Sequence, residues 1–194
     1  FDTQNKVARY LEFEPPNMCI VTEYLSLLHA ISVSYILGSF YPALTGACSL
    51  GERIFNILIL KLRHYYKSHS LYKEVYSKES FQDWEKAIAV LKEWNIIDAG
   101  LETDYRKLAD LRNQSIHFGN LKDVQTSSLT ALRTVMTITD KLFGLKNDIY
   151  FWCPGEIYVK KASESVPFVR EFILPNCVLL GYKNSIVDSK DGSP

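Results

Sequence analysis

From Met18 to Phe40 the chain is apolar almost all round a helical wheel, the pattern expected of a helix at the centre of a bundle. Pro15 and Pro16 break the chain before it, Asn17 can cap it, and Gly38 and Pro42 punctuate its end. A second and longest pattern runs from about Pro42 to His69. Leu50, Ile54, Ile57, Leu58 and Leu62 recur at helical spacing, while Glu52, Arg53 and Lys61 lie around the other side. Residues 70–79, "SLYKEVYSKE", are polar and suit a loop or a short helix. "SFQD" then sets Ser80 and Asp83 in capping-box spacing before a third helix, Ser80 to about Ile96. "DAGLETD" separates that helix from a fourth, Asp104 to His117. There Leu108, Leu111 and Ser115 or Ile116 face the core, and Gly119 stops the turn. A fifth helix covers Asp123 to about Leu145.

After Gly144 the periodicity changes. "IYFWC", "EIYVKK" and "NCVLLGYK" are short, aromatic or β-branched, and are separated by "PG", "SES" and "LPN", the marks of small strands. The pattern therefore predicts a mainly α fold: a helical domain of four to five helices over residues 1–147, with a small β-rich extension over 148–194. No internal repeat or low-complexity segment interrupts it.

Composition supports a folded chain. The 194 residues are 47% hydrophobic and 23% charged, which removes the disordered class and is enough for a real core. Lys plus Arg equal Asp plus Glu at 22 each, so no global field draws the protein onto nucleic acid or an anionic membrane; a polyanion must be met by a local patch. Cys19, Cys48, Cys153 and Cys177 lie far apart with no C-x-x-C pair, which argues against a zinc knuckle and for a reduced, cytoplasmic setting without metal or cofactor. The run "CIVTEYLSLLHAISVSYILGSF" approaches spanning length. It carries Glu23 and His29, so a buried helix is expected rather than a membrane span, with His29 a satisfied core residue. A start at Phe1 rather than Met fits a fragment of a longer chain.

The stretch "RNQSIHFGN", residues 112–120, carries the chemistry. On a helix Asn113 and His117, at i and i+4, share a face, and Arg112 sits about 100° from Asn113, so the three make a broad polar edge beside the core-facing leucines. Histidine can give and take a proton near neutral pH, and the arginine fork matches phosphate oxygens. An Arg, a polar residue, three more and a His on a late helix of a helical bundle resembles the Arg-x4–6-His motif of the HEPN superfamily (higher eukaryotes and prokaryotes nucleotide-binding). The resemblance covers about residues 17–147 as architecture and Arg112, Asn113 and His117 as motif.

The resemblance implies a metal-independent endoribonuclease in a toxin or antiviral-defence setting. Two chains would form a homodimer whose Arg112 and His117 edges meet in a composite cleft, with an antitoxin or a larger defence protein as further partner. It also implies that Glu52, on the second helix, orients Arg112. In relatives controlled by a nucleotidyltransferase antitoxin a tyrosine stands two positions after the histidine; here Gly119 stands there, which places that mode of control in doubt.

Three readings compete with the site. Arg112 can pair with Asp110 or Glu102 on a solvated edge while His117 interacts with its own helix end, leaving a plain scaffold. A non-catalytic HEPN-like module can use the same helix to bind nucleotide or RNA, or to dimerise. "RHYYKSH" places Arg63 and His69 at similar spacing, although at the end of the second helix rather than the fourth. Around it Lys61, Arg63, His64 and Lys67 lie beside Tyr65 and Tyr66, a combination able to grip single-stranded RNA by charge and stacking.

Overall fold

A computed structural model describes residues 2–12, 19–116, 123–145, 149–153, 156–179 and 185–187. Its helices are α1 (Thr3–Leu11), α2 (Thr22–Ile36), α3 (Phe40–Leu62), α4 (Tyr72–Val75), α5 (Trp84–Glu93), α6 (Ala99–Ile116) and α7 (Val124–Phe143), then α8 (Lys161–Glu164) and α9 (Leu174–Leu179). Strands β1 (Ile149–Cys153), β2 (Glu156–Lys160) and β3 (Ser185–Val187) are short. The fold is mainly α with a small C-terminal strand region.

The axis of the bundle is α3, not the more uniformly apolar α2. Helices α2, α5, α6 and α7 all pack on α3, and its buried residues, among them Ala47, Cys48, Ile54, Phe55, Leu58 and Leu62, leave it several neighbours at once. By contrast α2 buries one stripe, Tyr24, Leu28, Ile31 and Tyr35, against α3 and α7. Its opposite side reaches solvent, and His29, expected in the core, is exposed there. Glu23 is exposed too and pairs with Arg53 at 2.6 Å. Among the described residues the segment Phe40–Tyr65 is long and apolar enough to cross a membrane by length and composition, with 56% of its most apolar window buried; an axial core helix passes the same test.

The breaks between helices reflect turn chemistry. Asp98, Asp83 and Asp123 accept backbone N–H bonds from Leu101, Lys86 and Thr126, so α6, α5 and α7 each begin on an aspartate. The third helix is thus capped by Asp83 itself, three residues after the expected Ser80. Asn95 takes φ 55°, a left-handed stop that asparagine tolerates, and Asp98 lets α6 start at Ala99, ahead of the expected Asp104. Residues 70–79 contribute the short α4.

Helix α1 has no counterpart in the apolar pattern. None of its residues is buried; it is held by polar contacts, with Arg9 Nε donating to Ile36 O at 2.8 Å and the Arg9 guanidinium lying 5.8 Å from the centre of the Phe40 ring. Beyond its end, Glu12 accepts from the Tyr35 hydroxyl.

In the C-terminal region β1 and β2 pair antiparallel, Tyr150 opposite Tyr158, and β3 adds parallel to β2. Of "NCVLLGYK", expected as a strand, residues 176–179 are helical and the rest lies outside the described residues; Leu174–Leu179 continues from a π-helical turn, Val169–Ile173. The apolar run extends the periodicity of Val169, Phe172 and Ile173, all buried, and packing decides for helix. A small cluster of Ile20, Ile149, Val159, Val169 and Ile173 supports the strands. Phe168 and Phe172 contact Phe143 of the bundle with ring centres 5.7 and 6.0 Å apart.

Candidate functional site

The site begins with close packing of α3 and α6. A Cβ placed on Gly51 would lie 2.3 Å from Leu108 Cδ2 and 3.5 Å from the Trp84 ring, so the missing side chain lets Leu108 sit against the α3 backbone. Leu108 is fully buried there, and the Cys48 thiol lies 3.9 Å from its carbonyl oxygen. One turn beyond Leu108, Arg112 faces α3 beside Glu52, the residue next to Gly51 in the chain.

Arg112 Nε pairs with Glu52 Oε2 at 3.2 Å, and each side chain keeps 27% of its surface exposed. The same carboxylate oxygen accepts the Trp84 indole N–H at 3.3 Å. The counter-ion of Arg112 therefore comes from another helix, and neither alternative partner is used: Asp110 is exposed, and Glu102 pairs with Lys92 and Arg106. Among the described residues no side chain hydrogen-bonds to Nη1 or Nη2 of Arg112, the two groups that can grip two oxygens of a phosphate. Among the other guanidinium groups Arg9 is committed to Asp2, Arg53 to Glu23, Arg63 to two carbonyls, Arg106 to Glu85 and Glu102, and Arg133 to Glu12 O, whereas Arg170 is exposed.

Trp84 was not singled out by the sequence. It opens α5 directly after the capping Asp83, 5% exposed, with its ring edge-on to Phe55 at 4.9 Å. The segment before it is fixed to α3 by Asn56, which accepts from Phe81 N at 2.6 Å and donates to Phe81 O and Glu52 O at 3.0 and 2.9 Å. The available signal was chemical: a buried indole needs an acceptor, and Glu52 is a carboxylate on the neighbouring helix.

The end of α6 is also held. Ser115 Oγ donates to Arg112 O at 2.7 Å, and the Tyr41 hydroxyl donates to Ser115 O at 3.3 Å, satisfying carbonyls near the helix terminus. Asn113 is exposed on the last turns. His117, placed by the sequence in the same cleft, lies outside the described residues. Burial pushes the Cys48 thiol up to about 12, with Arg112 lowering it and Glu52 raising it, so the thiol lies within electrostatic reach of the pair yet stays protonated. Beyond Glu52, a groove along α3 is lined by Ser49, Arg53, Asn56, Ile57 and Leu60 and bounded by Glu79 and Ser80; its charges are mixed.

The second Arg and His pair is not brought together. Arg63 Nη1 donates to Val75 O at 3.0 Å and Lys78 O at 2.6 Å, while His69 Nδ1 lies 3.6 Å from Glu93. Of the expected RNA grip, Tyr66 is stacked on Trp94 at 4.7 Å and the Tyr65 hydroxyl donates to Glu171 at 2.8 Å. The Lys61 ammonium lies 5.1 Å from the centre of the Phe172 ring. Lys67 is exposed. Among the described residues no group of three or more His, Cys, Asp or Glu side chains is placed to hold a metal.

Comparison of the chain with known proteins finds no matching family model, no matching curated protein and no matching solved structure.

Proposed function

We propose that the chain is a HEPN-like, metal-independent endoribonuclease. The observation that carries the reading is the pairing of Arg112 with Glu52 through its Nε, with no hydrogen bond to Nη1 or Nη2 among the described residues. In this reading the open fork binds the scissile phosphate and stabilises the charge that builds on its oxygens in the transition state. His117 takes the proton from the 2′-hydroxyl, whose oxygen attacks the adjacent phosphorus; the 5′-oxygen leaves, taking up a proton, and a 2′,3′-cyclic phosphate is formed. Asn113, exposed next to Arg112, contacts the sugar or phosphate. Two chains associate so that their α6 ends share one cleft, and RNA is also held by Lys67 and Lys61; the Nη1 of Arg63 is already engaged by carbonyls. A cytoplasmic toxin or antiviral-defence role, with an antitoxin or larger defence protein as partner, comes with the same resemblance.

The reading is tested by incubating the protein, His117→Ala and Arg112→Ala with total RNA and tRNA in excess chelator and identifying the fragment ends. Fragments ending in 2′,3′-cyclic phosphate from the wild type alone support it. RNA bound but not cut by a folded wild-type dimer would replace it with the non-catalytic binding module, for which the open guanidinium of Arg112 is sufficient. Equal cleavage by all three proteins would remove the site.

A further inference from the structure

A carboxylate and a guanidinium left to themselves favour the bidentate arrangement, in which two N–H groups of the arginine meet both carboxylate oxygens. Between Glu52 and Arg112 that arrangement could draw an Nη group of Arg112 into the pair, and the fork would no longer be open to a phosphate. Here the closest approach of the pair is Nε to Oε2 at 3.2 Å, no hydrogen bond among the described residues engages Nη1 or Nη2, and Oε2 receives the Trp84 N–H at 3.3 Å. The indole is fixed on its other sides: Asp83 caps the helix it opens, Asn56 holds Phe81 in two directions, and the ring lies edge-on to Phe55. A buried ring so held presents its N–H at one place, and the carboxylate turns to meet it.

The geometry points to Trp84 as a positioning residue: its indole N–H holds the Glu52 carboxylate in the grip on Arg112 Nε that keeps the Arg112 fork open for a phosphodiester. The inference rests on the reading of Arg112 as the phosphate-binding group. Its molecular content, one tryptophan setting the binding mode of one arginine, can be measured separately from RNA cleavage.

The test uses the full chain and a single-stranded DNA oligonucleotide, which offers phosphates but lacks the 2′-hydroxyl and cannot be cut by this route. Trp84→Phe keeps an aromatic ring in place and removes the N–H. It should weaken DNA binding about tenfold, the weight of one charge-assisted hydrogen bond, and the loss should disappear in an Arg112→Gln background. In parallel, nitrogen-15 spectra of the arginine side chains should show the Arg112 resonances shifting in Trp84→Phe while those of Arg9 and Arg106 stay in place. Glu52→Asp, which withdraws the carboxylate by one methylene from the indole, should give the same two changes and serves if Trp84→Phe does not fold.

An unchanged Arg112 spectrum in the folded variants overturns the inference, as does a binding loss that persists in the Arg112→Gln background. If Arg112→Gln alone binds DNA as the wild type does, the phosphate-binding reading fails. The Arg112 spectrum then still decides whether Trp84 sets the pair.

Discussion

Replacing Arg63 by alanine separates a structural arginine from an RNA-binding one. Its Nη1 reaches two carbonyls on the far side of the 66–83 segment, Val75 O in a half-buried position and Lys78 O at the surface. A hydrogen bond from a charged donor contributes about 1.5–3 kcal/mol where water is excluded, and less at a solvated site. Taking the first at about 1.5–2 and the second at about 0.5 kcal/mol gives an expected loss of roughly 2–2.5 kcal/mol. Arg63→Lys, which lacks the planar fork, should lose about half of that. Urea unfolding at pH 7 measures both, with an unchanged slope showing that the unfolded state is the same. Hydrogen exchange supplies a local check: the Tyr76 and Lys78 amides, bonded to Tyr72 O and Val75 O, should exchange faster in the variant. RNA affinity should stay within twofold of wild type, the limit of about 0.4 kcal/mol. A variant with full stability and a sharp fall in RNA affinity would refute the reasoning and return Arg63 to the RNA-binding patch.

Gly51→Ala should destabilise the protein by about 1–2 kcal/mol in the same urea assay, because Leu108 is fully buried and has little room to retreat; crowding of about 2–3 kcal/mol, the upper part of the usual range, is offset by a helix-propensity gain of about 1. Asp83→Ala should cost about 1 kcal/mol through the lost cap of α5, and Asp83→Ser should restore most of it. The Asp123 carboxyl is held below its usual value, chiefly by the Thr126 hydroxyl and then by the Thr126 backbone N–H. Its contribution is therefore present above the unfolded-state pKa and is lost as pH falls through the carboxylate range to the folded value; the Tm difference between wild type and Asp123→Asn should vanish at the acid end. Cys48 and Cys19, buried and pushed up to about 12 and 11, should resist iodoacetamide at pH 8 in the native state and react on unfolding, as read by peptide mass spectrometry.

Helix existence was legible from apolar spacing: the five long patterns correspond to α2, α3, α5, α6 and α7. Their rank in the bundle was not. Apolar residues all round a helix indicate many neighbours, yet α2 leaves Leu27 and His29 toward solvent, while α3, which carries Glu52 and Arg53, meets four helices. Burial depends on which helices arrive, and small residues such as Ala43, Ala47 and Gly51 allow that approach without raising hydrophobicity. The N-terminal helix is invisible to apolar spacing for the opposite reason, since its attachment is polar. At the site, Arg112 and Glu52 could be paired in advance only through a family resemblance. Trp84 could not, because its role depends on a loop, 80–83, whose path is set by Asn56. In the C-terminal region β-branched and aromatic residues suggested three strands, and the described part of one of those segments, 176–179, is helix.

The π-helical turn at Val169–Ile173 bears on how the sequence can change length. A π turn accommodates one residue more than the α turn it replaces, so it can absorb a single-residue insertion without rotating the helix on either side. Phe168, before the turn, faces Phe143, and Ile173, at its end, faces the cluster that supports the strands. Arg170 is exposed inside the turn. Deleting it should leave an ordinary α-helix that still presents both apolar surfaces, whereas deleting a residue within α9 would rotate the remainder of that helix by about 100°. Relatives of this chain that lack one residue here are thus expected to keep the packing, and the interval between Phe168 and Ile173 is where an alignment should place a gap.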